Sequence, residues 1–274
     1  MVGILSGRIR RLYHARRAGE RERMETTGKW DRGDGIALAW ARIAGRGPTV
    51  VFCPGYKSDM TGSKATELSA YCTARRQAFL RFDYSGHGIS DGQFEDGTIG
   101  RWLADALALI DGLTKGPLII VGSSMGGWIA LLVALARRDR VAGLVGVAAA
   151  PDFTEDLMWE AMSFAERREV MERNVIMVPN PYGGAYPVTR ALIEDGRNHL
   201  LLRGPIALDC PVRLLHGQRD AEVPWETAMR IADRVTGDDV RTILVKDGDH
   251  RLSRPDDLAL LGRVLGSLLG ENSA

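Results

Sequence analysis

The stretch Gly122-Ser123-Ser124-Met125-Gly126-Gly127 joins an apolar run, 117–121, to a second apolar, alanine-rich run, 128–136. A serine held among small residues where a strand turns sharply into a helix exposes a hydroxyl that an ordinary turn would bury. The spacing fits G-x-S-x-G centred on Ser124. Centring it on Ser123 would require glycines at 121 and 125, where the chain has Val121 and Met125. Five residues match such a pattern easily, so the weight of the reading falls on what stands elsewhere in the chain.

Short apolar runs alternate with helix-compatible segments on both sides of this turn. Strands are expected at 36–43, entered through Arg32-Gly33-Asp34-Gly35, and at 49–53, 78–83, 118–121, 141–147, 212–216 and 240–245. Helices are expected at 61–76, 99–113, 225–235 and 256–269, the second carrying a stripe of Trp102, Leu103, Ala106, Leu107 and Ile110. This order predicts an α/β fold with a mostly parallel central sheet flanked by helices. The alternation stops over 151–209, which is too long for an ordinary connection. That stretch reads mostly as helix and loop, with a helix over 156–173 and a break at Pro179-Asn180-Pro181-Tyr182-Gly183-Gly184. It is expected to be a helical cap above the carboxyl ends of the strands. The organisation is then a basic N-terminal extension (1–25), a first core part (26–150), the cap insertion (151–209) and a second core part (210–274).

A serine hydroxyl is a weak nucleophile at neutral pH unless a base takes its proton. Asp220 follows the strand at 212–216, and His250 follows the strand at 240–245, so nucleophile, acid and base run in chain order at successive strand ends. His250 would take the Ser124 proton and pass it to the leaving group, while Asp220 fixes the imidazole tautomer and stabilises its charge. Asp249 and Glu222 compete for the carboxylate role. Asp249 is adjacent to His250 on a tight loop, and Glu222 has a longer side chain that is harder to hold in one geometry. His216, ending an apolar strand, reads as structural or pocket-lining, and His87, between two glycines, as turn packing. The backbone N–H groups of Met125 and Tyr56 are candidates for an oxyanion hole, Gly55 permitting close approach of the second. In the cap, Met158, Ala161 and Met162 form an apolar helical stripe that either packs the cap or lines the substrate pocket, with Tyr182 and Tyr186 as candidate aromatic walls. Arg167 and Arg168 read as a solvated charge run, or else as recognition of an anionic leaving group.

Bulk properties narrow the classes. A formal charge of +1 over 274 residues gives no field for gripping nucleic acid, so none is expected as a partner. The five histidines include no close pair with supporting carboxylates, and no metal or other cofactor is expected. Three widely spaced cysteines, Cys53, Cys72 and Cys210, suggest neither a disulfide framework nor a metal knuckle and suit a reducing compartment. No apolar stretch reaches the ~18 residues of a membrane span. The start of the chain carries Arg8, Arg10, Arg11, Arg16 and Arg17 without an acid before Glu20. It is either a solvated extension of a cytoplasmic protein or an import segment, which would make the location mitochondrial.

Several landmarks together resemble the α/β-hydrolase superfamily over 48–269: Gly55-Tyr56-Lys57-Ser58-Asp59-Met60-Thr61-Gly62-Ser63-Lys64-Ala65, Arg81-Phe82-Asp83-Tyr84-Ser85-Gly86, the Ser124 turn with Trp128, Leu214-Leu215-His216-Gly217, Val223-Pro224-Trp225 and Asp249-His250-Arg251. Within the superfamily the chain is similar to the mitochondrial abhydrolase group of palmitoyl-protein thioesterases and acyl-glucuronide esterases and its bacterial relatives. The resemblance implies serine-dependent cleavage of small-molecule acyl esters or thioesters, or of an S-acylated protein, without an organic cofactor. The alternatives are an acyl-glucuronide esterase, a general carboxylesterase, or a noncatalytic protein that keeps the fold. The oxyanion loop departs from the common His-Gly start, reading Cys53-Pro54-Gly55 instead.

Overall fold

The structure is a computed structural model that describes residues 25–179 and 184–270. The basic N-terminal run and Tyr182 lie outside the described residues. In chain order the elements are β1 (Thr26–Asp31), β2 (Ala37–Ile43), β3 (Arg46–Cys53), α1 (Ser63–Arg75), β4 (Gln77–Phe82), α2 (Ile99–Leu113), β5 (Leu118–Ser123), α3 (Met125–Ala136) and β6 (Val141–Val147). There follow α4 (Phe164–Arg173), β7 (Val175–Pro179), β8 (Ala185–Thr189), α5 (Arg190–Gly196), β9 (Val212–Gly217), α6 (Glu226–Arg234), β10 (Val240–Val245) and α7 (Pro255–Leu268).

Among the described residues eight strands form one sheet, ordered β1-β2-β4-β3-β5-β6-β9-β10. β1 and β2 run antiparallel at one edge; from β4 through β10 every pairing is parallel. The central strands read as continuous apolar runs because both faces are covered. Their side chains nevertheless part by the two-residue period of a strand. Val51, Cys53, Leu118 and Ile120 face a core shared with α2, α3 and α6. Val50, Phe52, Ile119 and Val121 face a second core shared with α1 and α7. α3 sits deep in the first core, buried from Met125 through Ala134, which is why its sequence is apolar all round rather than striped.

β1 was not expected. Its sequence, TTGKWD, is largely polar and lies on the sheet edge, so no apolar alternation announces it. The 156–173 helix is also corrected. A π-helical turn at Thr154–Trp159 comes first, and α4 begins anew at Phe164 behind a capping box. There the Ser163 hydroxyl accepts from Glu166 N at 3.3 Å and the Glu166 carboxylate accepts from Ser163 N at 2.8 Å. The insertion further contains a hairpin, β7 paired antiparallel with β8 from Val175↔Thr189 to Pro179↔Ala185, where loop was expected. Between β6 and β9, helical turns and this hairpin stand over the carboxyl ends of the parallel strands, where an open α/β sheet places its ligand sites.

Candidate active site

Ser124 is the residue between β5 and α3, with φ 55° and ψ −122°. A non-glycine residue held there stores roughly 1–3 kcal/mol of strain, maintained only by its surroundings. Two glycines make the turn sterically possible. A Cβ on Gly122 would stand 2.1 Å from Gly126 O, and one on Gly126 would stand 2.0 Å from Cys53 O. The backbone is pinned as well, with Ser124 N donating to Val147 O at 3.0 Å and Ser124 O accepting from Gly127 N and Ala150 N. Ser123, the rival serine, is the last residue of β5 and is buried.

The three predicted residues meet. His250 Nε2 is 3.0 Å from Ser124 Oγ, and His250 Nδ1 is 2.8 Å from Asp220 Oδ2. The Asp220 side chain is fully enclosed. Burial alone would push its carboxyl up, but hydrogen bonds from His216, His250 and Val223 N, together with the His250 charge, hold it well below the usual carboxylate range. Its Oδ1 accepts from the N–H groups of Glu222 and Val223, both at 2.9 Å. The competing carboxylates are engaged differently. Asp249 accepts from Leu252 N at 2.9 Å, and Glu222 presents its carboxylate 4.0 Å from His250 Nε2, the side of the ring that faces Ser124.

The loop after β3 lies against the serine. A Cβ on Gly55 would come 3.4 Å from Ser124 Cβ and 3.2 Å from Ser123 O. Among the described residues neither Tyr56 N–H nor Met125 N–H has a protein acceptor, which leaves both donors for a ligand oxygen. The Tyr56 phenol has a separate task that the sequence did not reveal. It donates to Pro187 O at 3.0 Å, and its ring makes edge contacts with Phe94 and Tyr186, tying the loop to the hairpin of the insertion.

Ser124, Tyr56, Met125 and His250 open into one cavity of about 700 Å³. Of the stripe's two readings both hold: Met158, Ala161 and Met162 line the cavity, and Met158 and Met162 also pack the insertion. Tyr186 lines it as a wall, and Ile176 and Val188 from the hairpin join them. Lys57, Lys64 and Arg251 line it too. The Lys64 ammonium donates to the carbonyl of Arg251, next to His250, and burial pushes its pKa down to about 8, helped by the Arg251 charge. Arg167 is not in this wall; it donates to the Trp159 and Glu160 carbonyls, and Arg168 pairs with Glu172 on the surface. His216 does not line the cavity. It lies fully enclosed behind Asp220, with Nε2 3.1 Å from Asp220 Oδ2. His87 is buried in the turn after β4 as expected, but its Nε2 also accepts from Lys57 N at 3.3 Å, in the loop after β3. Among the described residues no three His, Cys, Asp or Glu side chains form a metal-holding group, and no helix is long and apolar enough to cross a membrane.

Comparison with known proteins places this geometry. The profile of the alpha/beta hydrolase family matches residues 50–259. The chain is 42% identical over 238 residues to the human mitochondrial palmitoyl-protein thioesterase ABHD10, an alignment covering 86% of this chain and 78% of that protein. Among solved structures it is similar to the alpha/beta hydrolase domain-containing protein 10 from mouse, with a TM-score of 0.84 and 37% identity, covering 90% of this chain and 100% of that one. It is equally similar to a bacterial protein from Agrobacterium vitis S4, with a TM-score of 0.85 and 39% identity over 90% of this chain and 98% of that one.

Proposed function

Because the chain belongs to the alpha/beta hydrolase family, close to mitochondrial ABHD10 and to bacterial relatives, we propose that it cleaves acyl thioesters and carboxylic esters through an acyl-enzyme on Ser124, S-acylated protein included. The observation that carries this reading is the unbroken chain from Ser124 Oγ through His250 to Asp220, with Ser124 and His250 opening into a cavity that Met158, Met162, Ile176 and Val188 also line. The name of the human relative, a palmitoyl-protein thioesterase, supports the thioester preference.

In this reading the acyl chain lies along Met158, Met162 and Ile176, and its carbonyl carbon stands over Ser124 Oγ. As Oγ attacks, His250 Nε2 takes its proton. The carbonyl π pair moves onto oxygen, where the Tyr56 and Met125 N–H groups stabilise it. Collapse breaks the bond to sulfur or oxygen, and the leaving group departs with the proton from His250. Water then gives a proton to His250 and attacks the acyl carbon. The second tetrahedral intermediate expels Ser124 Oγ, which recovers that proton. Asp220 stays ionised throughout, consistent with its depressed pKa.

A second reading, an acyl-glucuronide or general carboxylesterase, is favoured by a different part of the cavity. Lys64 and Arg251 border it beside His250, where a leaving group bearing a carboxylate would find cations. A hydrolysis panel decides between them, using short- and long-chain oxygen esters, matched acyl thioesters and acyl glucuronides, with Ser124→Ala as control. Faster turnover of long-chain thioesters is expected, with activity lost in Ser124→Ala. Faster turnover of glucuronides would favour the second reading, and full activity in Ser124→Ala would remove the nucleophile and with it the proposed mechanism.

A further inference from the structure

His216 is a polar residue at a place where the strand has every reason to hold an apolar one. β9 is buried along its whole length, His216 is fully enclosed within it, and the strand partner beside it is Leu244. Only one edge of the imidazole makes hydrogen bonds. Nε2 stands 3.1 Å from Asp220 Oδ2 and 3.1 Å from Val223 O, two acceptors, so Nε2 carries the hydrogen and shares it between them. Nδ1 is buried and, among the described residues, has no partner. A leucine here would spare the protein the cost of an unsatisfied buried polar atom. That cost is accepted for a ring whose hydrogen bonds go to the Asp220 carboxylate and to the loop that carries it.

The carboxylate itself shows what the contact does. Asp220 Oδ1 accepts from Glu222 N and Val223 N, and Oδ2 accepts from His250 Nδ1 and His216 Nε2. The four directions in which an ionised carboxylate accepts are thus all taken, three of them by the protein around it and one by the base. The two backbone donors orient the first oxygen. His216 is the only one of the three that fixes the second, the oxygen that His250 uses.

We propose that His216 is a positioning residue for the acyl-transfer reaction: with a hydrogen on Nε2, it locks Asp220 Oδ2 toward His250 and draws off part of the carboxylate charge that His250 would otherwise feel. This rests on the triad reading given above. Nε2 faces two acceptors while Nδ1 has none among the described residues, so the hydrogen that reaches Asp220 Oδ2 sits on Nε2. Two histidines on one carboxylate oxygen thereby keep separate duties. His250 opens to the cavity and moves protons; His216 is sealed from the cavity and moves none.

The test uses the full chain and a soluble thioester, with kcat, KM, thermal midpoint and the pH dependence of kcat/KM measured for His216→Leu, His216→Asn and His216→Gln. Gln can place an amide N–H where Nε2 stands; Asn carries the same amide one methylene too short. The expected result is a fall in kcat of about tenfold for Leu and Asn, the worth of one hydrogen bond to a charged group, with little change in KM. Their acid limb should move to higher pH, because Asp220 relieved of a donor holds the His250 proton more strongly. The groups facing His250 are otherwise unchanged: Ser124, Glu222 and Asp220 across the ring, Asp249 and Arg251 on its own loop, and Lys64 on the Arg251 carbonyl. Gln should restore both kcat and the acid limb. If the Leu variant does not fold, the Asn and Gln pair carries the comparison. Equal losses in Gln and Asn, or a lowered thermal midpoint with kcat and acid limb unmoved, would overturn the proposal. Failure of the triad reading itself is recognised separately, by activity persisting in Ser124→Ala.

Discussion

Ser124 Oγ and His250 Nε2 stand 3.0 Å apart across 126 residues of chain. That distance is set by the sheet. β5 ends at Ser123, β10 ends at Val245, and parallel strands bring their carboxyl ends to one edge whatever lies between them in sequence. Asp220, past the end of β9 and next to β10, completes the row with its Oδ2 on His250 Nδ1. Both ends of the imidazole are thus held before any substrate arrives.

Asp220→Asn should cost about 10⁴-fold in kcat, with the fold retained. Asn has one acceptor oxygen and one NH₂ group, whereas the wild-type carboxylate faces donors on both oxygens. If the Asn oxygen serves Glu222 N and Val223 N, its NH₂ confronts His250 and His216, and His250 must carry its hydrogen on Nε2, toward Ser124. A variant with normal thermal midpoint but kcat within tenfold of wild type would refute the assignment of Asp220.

Gly126→Ala should lose activity through geometry rather than chemistry. Its Cβ would stand 2.0 Å from Cys53 O and 2.5 Å from Pro54 O, both backbone atoms that cannot swing aside. Moving them displaces the Tyr56 loop, and overpacking of this kind typically costs about 1–3 kcal/mol. Gly204→Ala, whose Cβ meets nothing within 4 Å, is the matched control and should be neutral. Hydrolysis rates and denaturant unfolding of the two variants beside wild type measure the difference, and full activity in Gly126→Ala would refute it.

How much of this site could be read from the chain follows from where its determinants lie. β6 has the bounds expected because a buried parallel strand announces itself as an apolar run between polar turns, and β10, at the opposite edge from β1, does too because Ile243, Leu244 and Val245 keep it apolar although none of its residues is buried. α2 does too, since a stripe of period 3.6 is a local signal; the structure adds Thr98 as its N-cap. The Ser124, Asp220 and His250 positions were legible because each follows a parallel strand with a readable apolar run. β1 was not, because an exposed edge strand needs no apolar pattern. The β7–β8 hairpin was hidden by Pro179 and Pro187, which are tolerated in a two-stranded ribbon. His216 was seen as a buried strand residue, but its contact with Asp220 depends on the fold of the loop between them. The Ser163 and Glu166 spacing was a readable start for α4 that the apolar stripe upstream overshadowed.

Met158→Trp should separate long from short acyl chains. Met158 is half-buried on the π-helical turn and lines the cavity, so a larger ring there fills space on the apolar side while leaving Ser124 and His250 untouched. Pocket contacts worth about 1–3 kcal/mol correspond to roughly 10–200-fold in kcat/KM. The expected outcome is a tenfold or greater fall for a sixteen-carbon acyl thioester and little change for the acetyl analogue, read from a chain-length series. Equal effects at all lengths would mean that Met158 packs the insertion without meeting the acyl chain.

The acid stability of the protein should depend on His87. The ring is enclosed by Tyr84, Phe94 and Trp102, with Nδ1 donating to Ser85 O and Nε2 accepting from Lys57 N. Burial pushes its pKa down to about 4, against the smaller raising effects of the Ser85 carbonyl and the Asp105 and Asp59 charges, while Lys57 adds to the lowering. Between that value and the ~6.5 of an unfolded histidine, the unfolded chain binds the extra proton. Stability from this group is therefore full above about pH 6.5 and is lost as pH falls toward 4, by about 3 kcal/mol as an order of magnitude. Asp220 acts in the same sense but in a more acid range, since its carboxyl lies below the ordinary value, and the raised carboxyls of Asp83 and Asp152 act in the opposite sense. His87→Gln keeps a donor and an acceptor without titrating, so comparison with it isolates the histidine. Urea unfolding at pH 7, 5.5 and 4.5 should show wild type losing stability more steeply than the Gln variant, and parallel losses would show that His87 does not titrate in this window. The same protonation removes the acceptor for Lys57 N, directly after Tyr56, so activity should fall in the acid range before the sheet unfolds.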